Sequence, residues 1–131
     1  MFIKRFLEWI GVKQKLEAND YKPPLVNEGD LWWCAISENV GVEICGKGQN
    51  FTRPVIVIKK FGRHAFFRIP LTTKRHEGTW YMPLRYKNIN QVVLLSQARF
   101  LSYKRLDRKM GELDSEDFKK VKEAFVSLFY E

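Results

Sequence analysis

Cysteine and histidine are scarce in this chain, with two of each among 131 residues. Two cysteines, Cys34 and Cys45, are too few for the disulfide framework of a small secreted domain. Lys4, Arg5 and Glu8 interrupt any apolar core of a signal peptide, so the expected location is cytoplasmic and the thiols are expected to be free. The two cysteines do not have the close pairing of a zinc site, and His64 and His76 lack the matching histidine spacing, so neither a metal nor a cofactor is expected. No apolar run approaches the ~20 residues that a membrane span needs. Acidic residues are almost missing from the middle of the chain. Between Arg53 and Lys109 only Glu77 and Asp107 oppose fourteen basic residues, which gives that segment +12 while the remainder carries −4. A positive segment interleaved with Phe66, Phe67, Trp80, Tyr81 and Tyr86 points to an anionic partner, nucleic acid first. Solvated strand faces are the plainer account of the same charges.

What is present suits one core of ordinary size: 45% of the residues are hydrophobic and 15% aromatic. Apolar residues at 2, 3, 6, 7, 9 and 10 predict a helix over 2–10 that stops at Gly11 and docks on the body. Residues 14–27 are polar, contain Pro23-Pro24 and read as an extended linker. Strands are predicted over 31–36, with Trp32 and Trp33 on opposite faces, then over 54–58, 64–70 and 79–86. Residues 92–95 and 99–101 predict one bent strand or two short ones. Pro54–Ile58 is apolar on both faces, as a central strand is. A long loop is expected over 37–50 and a turn over 59–62.

The period then changes. Asp114 or Ser115 is expected to cap a helix running to about Phe129, buried along Phe118, Val121, Ala124, Phe125 and Leu128. Short strands followed by one helix indicate an α+β fold: a small, twisted, partly closed antiparallel β-barrel with a C-terminal helix and a short N-terminal helix. The expected division is an extension over 1–27 and a folded domain over 28–131.

One pair of positions carries chemistry. Arg53 opens the apolar strand 53–58, and Thr72 follows Pro70 at the end of the next one. If the two strands are antiparallel neighbours, the guanidinium and the hydroxyl meet at one sheet edge. Metal-free RNA cleavage needs a 2′-OH aligned with its phosphorus, a donor for the non-bridging oxygens and a route for the protons. Arginine suits the donor role, because its fork is always charged and matches phosphate geometry. A strand-end arginine is also an ordinary surface solubiliser.

The blocks Glu28-Gly29-Asp30-Leu31-Trp32-Trp33, Gly41-Val42-Glu43, Arg53-Pro54-Val55-Ile56-Val57, Pro70-Leu71-Thr72-Thr73, Leu95-Ser96-Gln97-Ala98-Arg99 and Lys104-Arg105-Leu106 resemble, in order, those of the MazF/PemK family of toxin endoribonucleases. The resemblance runs from about Glu28 to the C-terminus. It implies an SH3-like barrel and a homodimer that cuts single-stranded RNA without a metal, leaving a 2′,3′-cyclic phosphate and a 5′-hydroxyl. It also implies an antitoxin that lays an acidic segment along the RNA groove. By position, Arg53 and Thr72 match catalytic residues, and Glu43 and Gln97 match positions lining the groove. Lys74, Arg75 and His76, on the loop after Thr73, are further candidates for RNA binding.

The chain departs from the pattern at one place. Some members carry Arg-x-Asp on the strand entering the glutamine block, where this chain has Leu94-Leu95-Ser96-Gln97. Glu43 and His76 are then the candidates for general base, against the blander readings of a loop carboxylate that orients Arg53 and a solvated loop histidine. Two other functions fit the same pattern: a non-catalytic nucleic-acid or protein binder, and a toxin acting on a protein such as DNA gyrase. Residues 1–27 lie outside the resemblance.

Overall fold

A computed structural model describes residues 4–131. Helix α1 (Phe6–Ala18) leads, followed by β1 (Asp30–Ala35), β2 (Thr52–Phe61), β3 (Ala65–Thr72), β4 (Tyr81–Tyr86) and β5 (Ile89–Leu94). Then come β6 (Arg99–Ser102), β7 (Leu106–Glu112) and helix α2 (Ser115–Ser127). The ladders are antiparallel and run in the order β4-β5-β3-β2-β1-β7, with β6 also on β3. This is the antiparallel sheet with N- and C-terminal helices that the pattern predicts. The strand path is open, because no ladder joins β4 to β7 among the described residues. The two ends touch through a side chain instead. A Cβ added at Gly111 in β7 would overlap the hydroxyl of Tyr86 in β4.

Both faces of the central strands are covered, as the two-sided apolar run in β2 requires. Trp32, Cys34, Val55, Val57 and Phe66 pack one core. Leu31, Ile56, Ile69, Leu71 and Val93 pack the other, beneath α2. Helix α2 follows its pattern closely. The Asp114 carboxylate accepts the Asp117 N–H at 2.7 Å, and Glu116 and Asp117 occupy the positive first turn. Val121 is fully buried, and Phe118, Ala124, Phe125 and Leu128 lie around it. Each fully buried side chain of this size contributes ~1.5–3 kcal/mol.

Four elements differ from expectation. Helix α1 does not stop at Gly11 but runs to Ala18, and Phe2 and Ile3 of the expected helix lie outside the described residues. A helical glycine costs about 1 kcal/mol. Trp9, Val12 and Leu16, at helical spacing, pack on Phe51 and Ala35 and offset that cost. Of the described residues of the expected face, Trp9 is buried, whereas Phe6, Leu7 and Ile10 are exposed. Secondly, the turn expected over 59–62 comes later, because β2 runs on to Phe61, whereas 92–94 and 99–101 are the two short strands that the pattern allows, divided by a 3₁₀ turn at Leu95–Gln97. Thirdly, β4 and β5 form a hairpin through Lys87 and Asn88, both with positive φ (48° and 64°). Fourthly, β7 is a charged edge strand with no predicted counterpart.

Strand β3 changes partner along its length. Its first half lies between β2 and β6, and its last residues, Leu71 and Thr72, pair with β5. Pro70, which has no N–H to donate, sits at the changeover.

Candidate functional site

Register brings the first pair together. Val55 faces Pro70 across the β2–β3 ladder. Two residues further on, with the same side-chain phase, come Arg53 and Thr72. Arg53 Nη1 donates to Thr72 Oγ1 at 3.4 Å, and Arg53 Nε donates to the Cys45 carbonyl at 2.5 Å. Thr72 Oγ1 also accepts the Lys74 N–H at 3.2 Å, which leaves its own proton free to donate outward. Arg53 is half-buried, and that burial lowers its pKa from the ordinary guanidinium value. It remains charged at neutral pH.

Arg53 and Thr72 line a cavity of about 630 Å³ whose cationic walls include Lys47 and Lys87. Trp33, Tyr86 and Met110 supply apolar surface, and the Arg108 guanidinium lies 5.0 Å from the centre of the Trp33 ring. Among the described residues, no carboxylate or imidazole lines this cavity. An arginine and two lysines without a counter-charge make it suited to a phosphate. Gln91, which the sequence reading passed over, is buried in the same wall, and its Oε1 has no partner among the described residues.

Gln97 and Glu43 line a different cavity, of about 530 Å³, with Trp80, Tyr81 and Arg99. The side chain of Gln97 is occupied: its Oε1 accepts the Ile44 N–H at 2.6 Å. Glu43 Oε1 accepts the Val40 N–H at 2.8 Å within its own turn. The group that orients Arg53 is therefore the Cys45 carbonyl and not Glu43. The loop 37–51 contributes to both cavities, with Glu43 and Ile44 in one and Lys47 and Gly48 in the other.

Beneath the second cavity lies Arg68, which is 1% exposed. Its Nη1 donates to the Gln97 carbonyl at 2.8 Å, while Nε has no partner among the described residues. Burial pushes its pKa down to about 10, and the like charges of Arg99 and Arg105 add to the effect. The sequence signal was available: Arg68 shares the inward phase of Phe66.

The remaining candidates lie apart. Lys74, Arg75 and His76 line neither cavity. Arg75 pairs with Glu77 at 3.1 Å on the open surface, and His76 stacks on Tyr81 with centroids 4.6 Å apart. Among the described residues, no three of His, Cys, Asp and Glu gather as a metal site, and no helix is long and apolar enough to cross a membrane. Cys34 and Cys45 are free.

A family model for the PemK-like, MazF-like toxin of type II toxin–antitoxin systems matches residues 27–129. The chain belongs to this family. Solved structures agree on the fold. MazF from Deinococcus radiodurans superposes with a TM-score of 0.63 at 21% identity, covering 86% of this chain and 100% of that one. An endoribonuclease from a mycobacterial species, in complex with its cognate antitoxin, gives a TM-score of 0.63 at 15% identity, covering 81% and 96%. The MazE–MazF complex of D. radiodurans gives 0.58 at 19% identity, covering 84% and 97%. No curated protein sequence matches the chain. At these identities the structural likeness speaks for the fold, and the family match carries the membership. The match begins at residue 27 and so leaves α1 outside it.

Proposed function

We propose that this PemK/MazF-like toxin is a cytoplasmic, metal-independent endoribonuclease. It cuts single-stranded RNA at specific sequences, leaving a 2′,3′-cyclic phosphate and a 5′-hydroxyl, and is neutralised by an antitoxin. The observation that carries this reading is the Arg53–Thr72 contact in a cationic cavity. Arg53 has its Nε fixed on the Cys45 carbonyl, so its remaining N–H groups face a non-bridging phosphate oxygen. The Thr72 hydroxyl donates to the same oxygens. Both donors act where negative charge grows as the 2′-oxygen attacks phosphorus.

Glu43, Gln97, Lys74, Arg75 and His76 are proposed to extend the RNA path beyond the cavity. The working unit is proposed to be a homodimer of SH3-like barrels. The Tyr86–Gly111 contact, which brings the open sheet edges together, supports the barrel reading. The folded toxin unit is proposed to span 28–131, with 1–27 as an added segment. Antitoxin complexes among the structural neighbours support an antitoxin partner, whose acidic segment suits the same cationic wall.

The test is cleavage of a long single-stranded RNA in EDTA, with the ends mapped. Intact RNA, or strict dependence on Mg²⁺, overturns the proposal. That the cavity wall holds no carboxylate or imidazole among the described residues favours a second reading, a binder without catalysis. Tight, salt-dependent binding with RNA left whole decides for it.

A further inference from the structure

Helix α1 and the residues before it are fastened to the loop between β1 and β2. Lys4 Nζ donates to the Asn39 carbonyl at 2.6 Å and to the Gly41 carbonyl at 3.2 Å. The Arg5 N–H donates to Glu38 Oε2 at 2.5 Å, and its guanidinium donates to the Gly48 carbonyl at 2.8 Å and the Gly46 carbonyl at 3.4 Å. That guanidinium also lies 4.0 Å from the centre of the Phe51 ring, which meets Trp9 edge-on with centroids 5.4 Å apart. Phe51 is itself held in an unfavourable backbone conformation, with φ of 54°. Glu38 is 5% exposed, and Arg5 is its ion-pair partner at 3.7 Å.

This loop is the wall of the candidate site. It supplies the Cys45 carbonyl that fixes Arg53, the Ile44 N–H that occupies Gln97, and Lys47 in the cationic cavity. A loop of this length, with glycines at 41, 46 and 48, loses considerable entropy on ordering. Gly46 allows the loop to close on itself, because a Cβ there would overlap the Phe51 carbonyl. The loop has bonds of its own, from the Gly46 N–H to the Ser37 carbonyl, between Lys47 and Thr52, and from Asn39 Nδ2 to the Ile44 carbonyl. Lys4, Arg5 and Trp9 add restraint from outside it, in a segment that the family model does not cover.

We propose that Arg5, backed by Trp9, is a positioning residue for the Arg53–Thr72 site, acting through the loop 37–51. The catalytic part of the proposal rests on the endoribonuclease reading, and the loop-holding part does not. Arg5 spans the loop: its main chain and side chain together bind Glu38 at one end and Gly46 and Gly48 at the other. Freed from its guanidinium, the loop keeps its internal bonds but loses an outside restraint on the segment that presents the Cys45 carbonyl to Arg53.

Arg5→Ala in the full chain tests this, with Trp9→Ala as the second variant. The first measurement is amide hydrogen exchange, which needs no RNA. Exchange over 38–51 is expected to rise about tenfold in Arg5→Ala while the sheet stays protected. The second is RNA cleavage per folded molecule. kcat is expected to fall about tenfold with a smaller change in KM, since Arg53 acts on the developing charge. Arg5→Lys, which keeps the charge but not the planar fork, is expected to recover part of both effects. Unchanged exchange over 38–51 overturns the proposal. So does a loosened loop with kcat intact in a protein that cuts RNA. Wild-type protein that cuts no RNA, while Arg5→Ala still loosens the loop, overturns the nuclease reading and leaves the loop-holding role of Arg5 standing.

Discussion

Arg53 and Arg68 lie on neighbouring strands and both are drawn out of water, yet they are held in opposite ways. Arg53 has one N–H fixed by a carbonyl and the rest of its fork beside a hydroxyl and an open cavity. Arg68 is almost wholly enclosed, makes one bond to a main-chain oxygen and leaves Nε unpaired. Neither has a carboxylate partner in the described residues. Leaving a charged fork half-open is useful where a phosphate must complete it. Closing a charged fork inside the protein costs stability unless every donor is satisfied. The first arginine is therefore expected to matter most for chemistry, and the second for folding.

Replacing Arg53 gives the largest expected effect. Arg53→Ala should lower cleavage of single-stranded RNA by about 100- to 1,000-fold, the usual cost of losing one oxyanion donor. Urea unfolding should shift by no more than about 1.5 kcal/mol, because the lost bonds lie at a half-open surface. A variant that unfolds while its folded fraction still cuts at the normal rate would reverse the comparison. Thr72→Val comes next, with cleavage down by about tenfold, since a neutral hydroxyl is the weaker donor. Full activity in that variant removes Thr72 from the site.

The enclosed region answers to pH. Burial pushes the Cys34 thiol from its ordinary 9.0 up to about 12. Between these values the unfolded chain loses the proton and the folded chain keeps it. Stability is therefore complete below pH 9 and declines as pH rises through that window. Urea titrations of wild type and Cys34→Ala should diverge there by up to ~1.4 kcal/mol per pH unit, with the variant falling less steeply. Parallel curves would show that the thiol carries no such linkage.

The smallest expected effect belongs to Arg68→Met. Replacing an incompletely satisfied buried charge with an apolar side chain of similar length should raise stability by about 1 kcal/mol in the same assay. Cleavage should fall far less than in Arg53→Ala. A strongly destabilised Arg68→Met would mean that the bond to the Gln97 carbonyl outweighs the buried charge.

The contrast between these arginines was only half legible in the sequence. Arg53 was readable because strand phase and chain separation place it opposite Thr72, and the ordered blocks around it resemble a family. Helix α2 was readable because its cap, charge order and apolar period agree with one another. The enclosure of Arg68 was not read, because a charged residue is assigned to the surface by default even when its phase points inward. The register of α1 was missed for a different reason. Its local apolar pattern groups Trp9 with Phe6, Leu7 and Ile10, but the partner that selects Trp9, Val12 and Leu16 instead is Phe51, far along the chain. Strand β7 carries mostly charged residues, and β1 recruits it through main-chain bonds that leave no apolar alternation to find. The split between the Arg53–Thr72 and Glu43–Gln97 cavities depends on how the loop 37–51 folds, which no local pattern encodes.

The Tyr86–Gly111 contact gives the rim of the sheet a say in the cavity. Tyr86 has one side against the far edge strand and another in the wall around Arg53 and Thr72. A single methyl group added at position 111 would have to displace that ring. A change invisible to any list of charged side chains would then alter the shape of the cavity around Arg53 and Thr72.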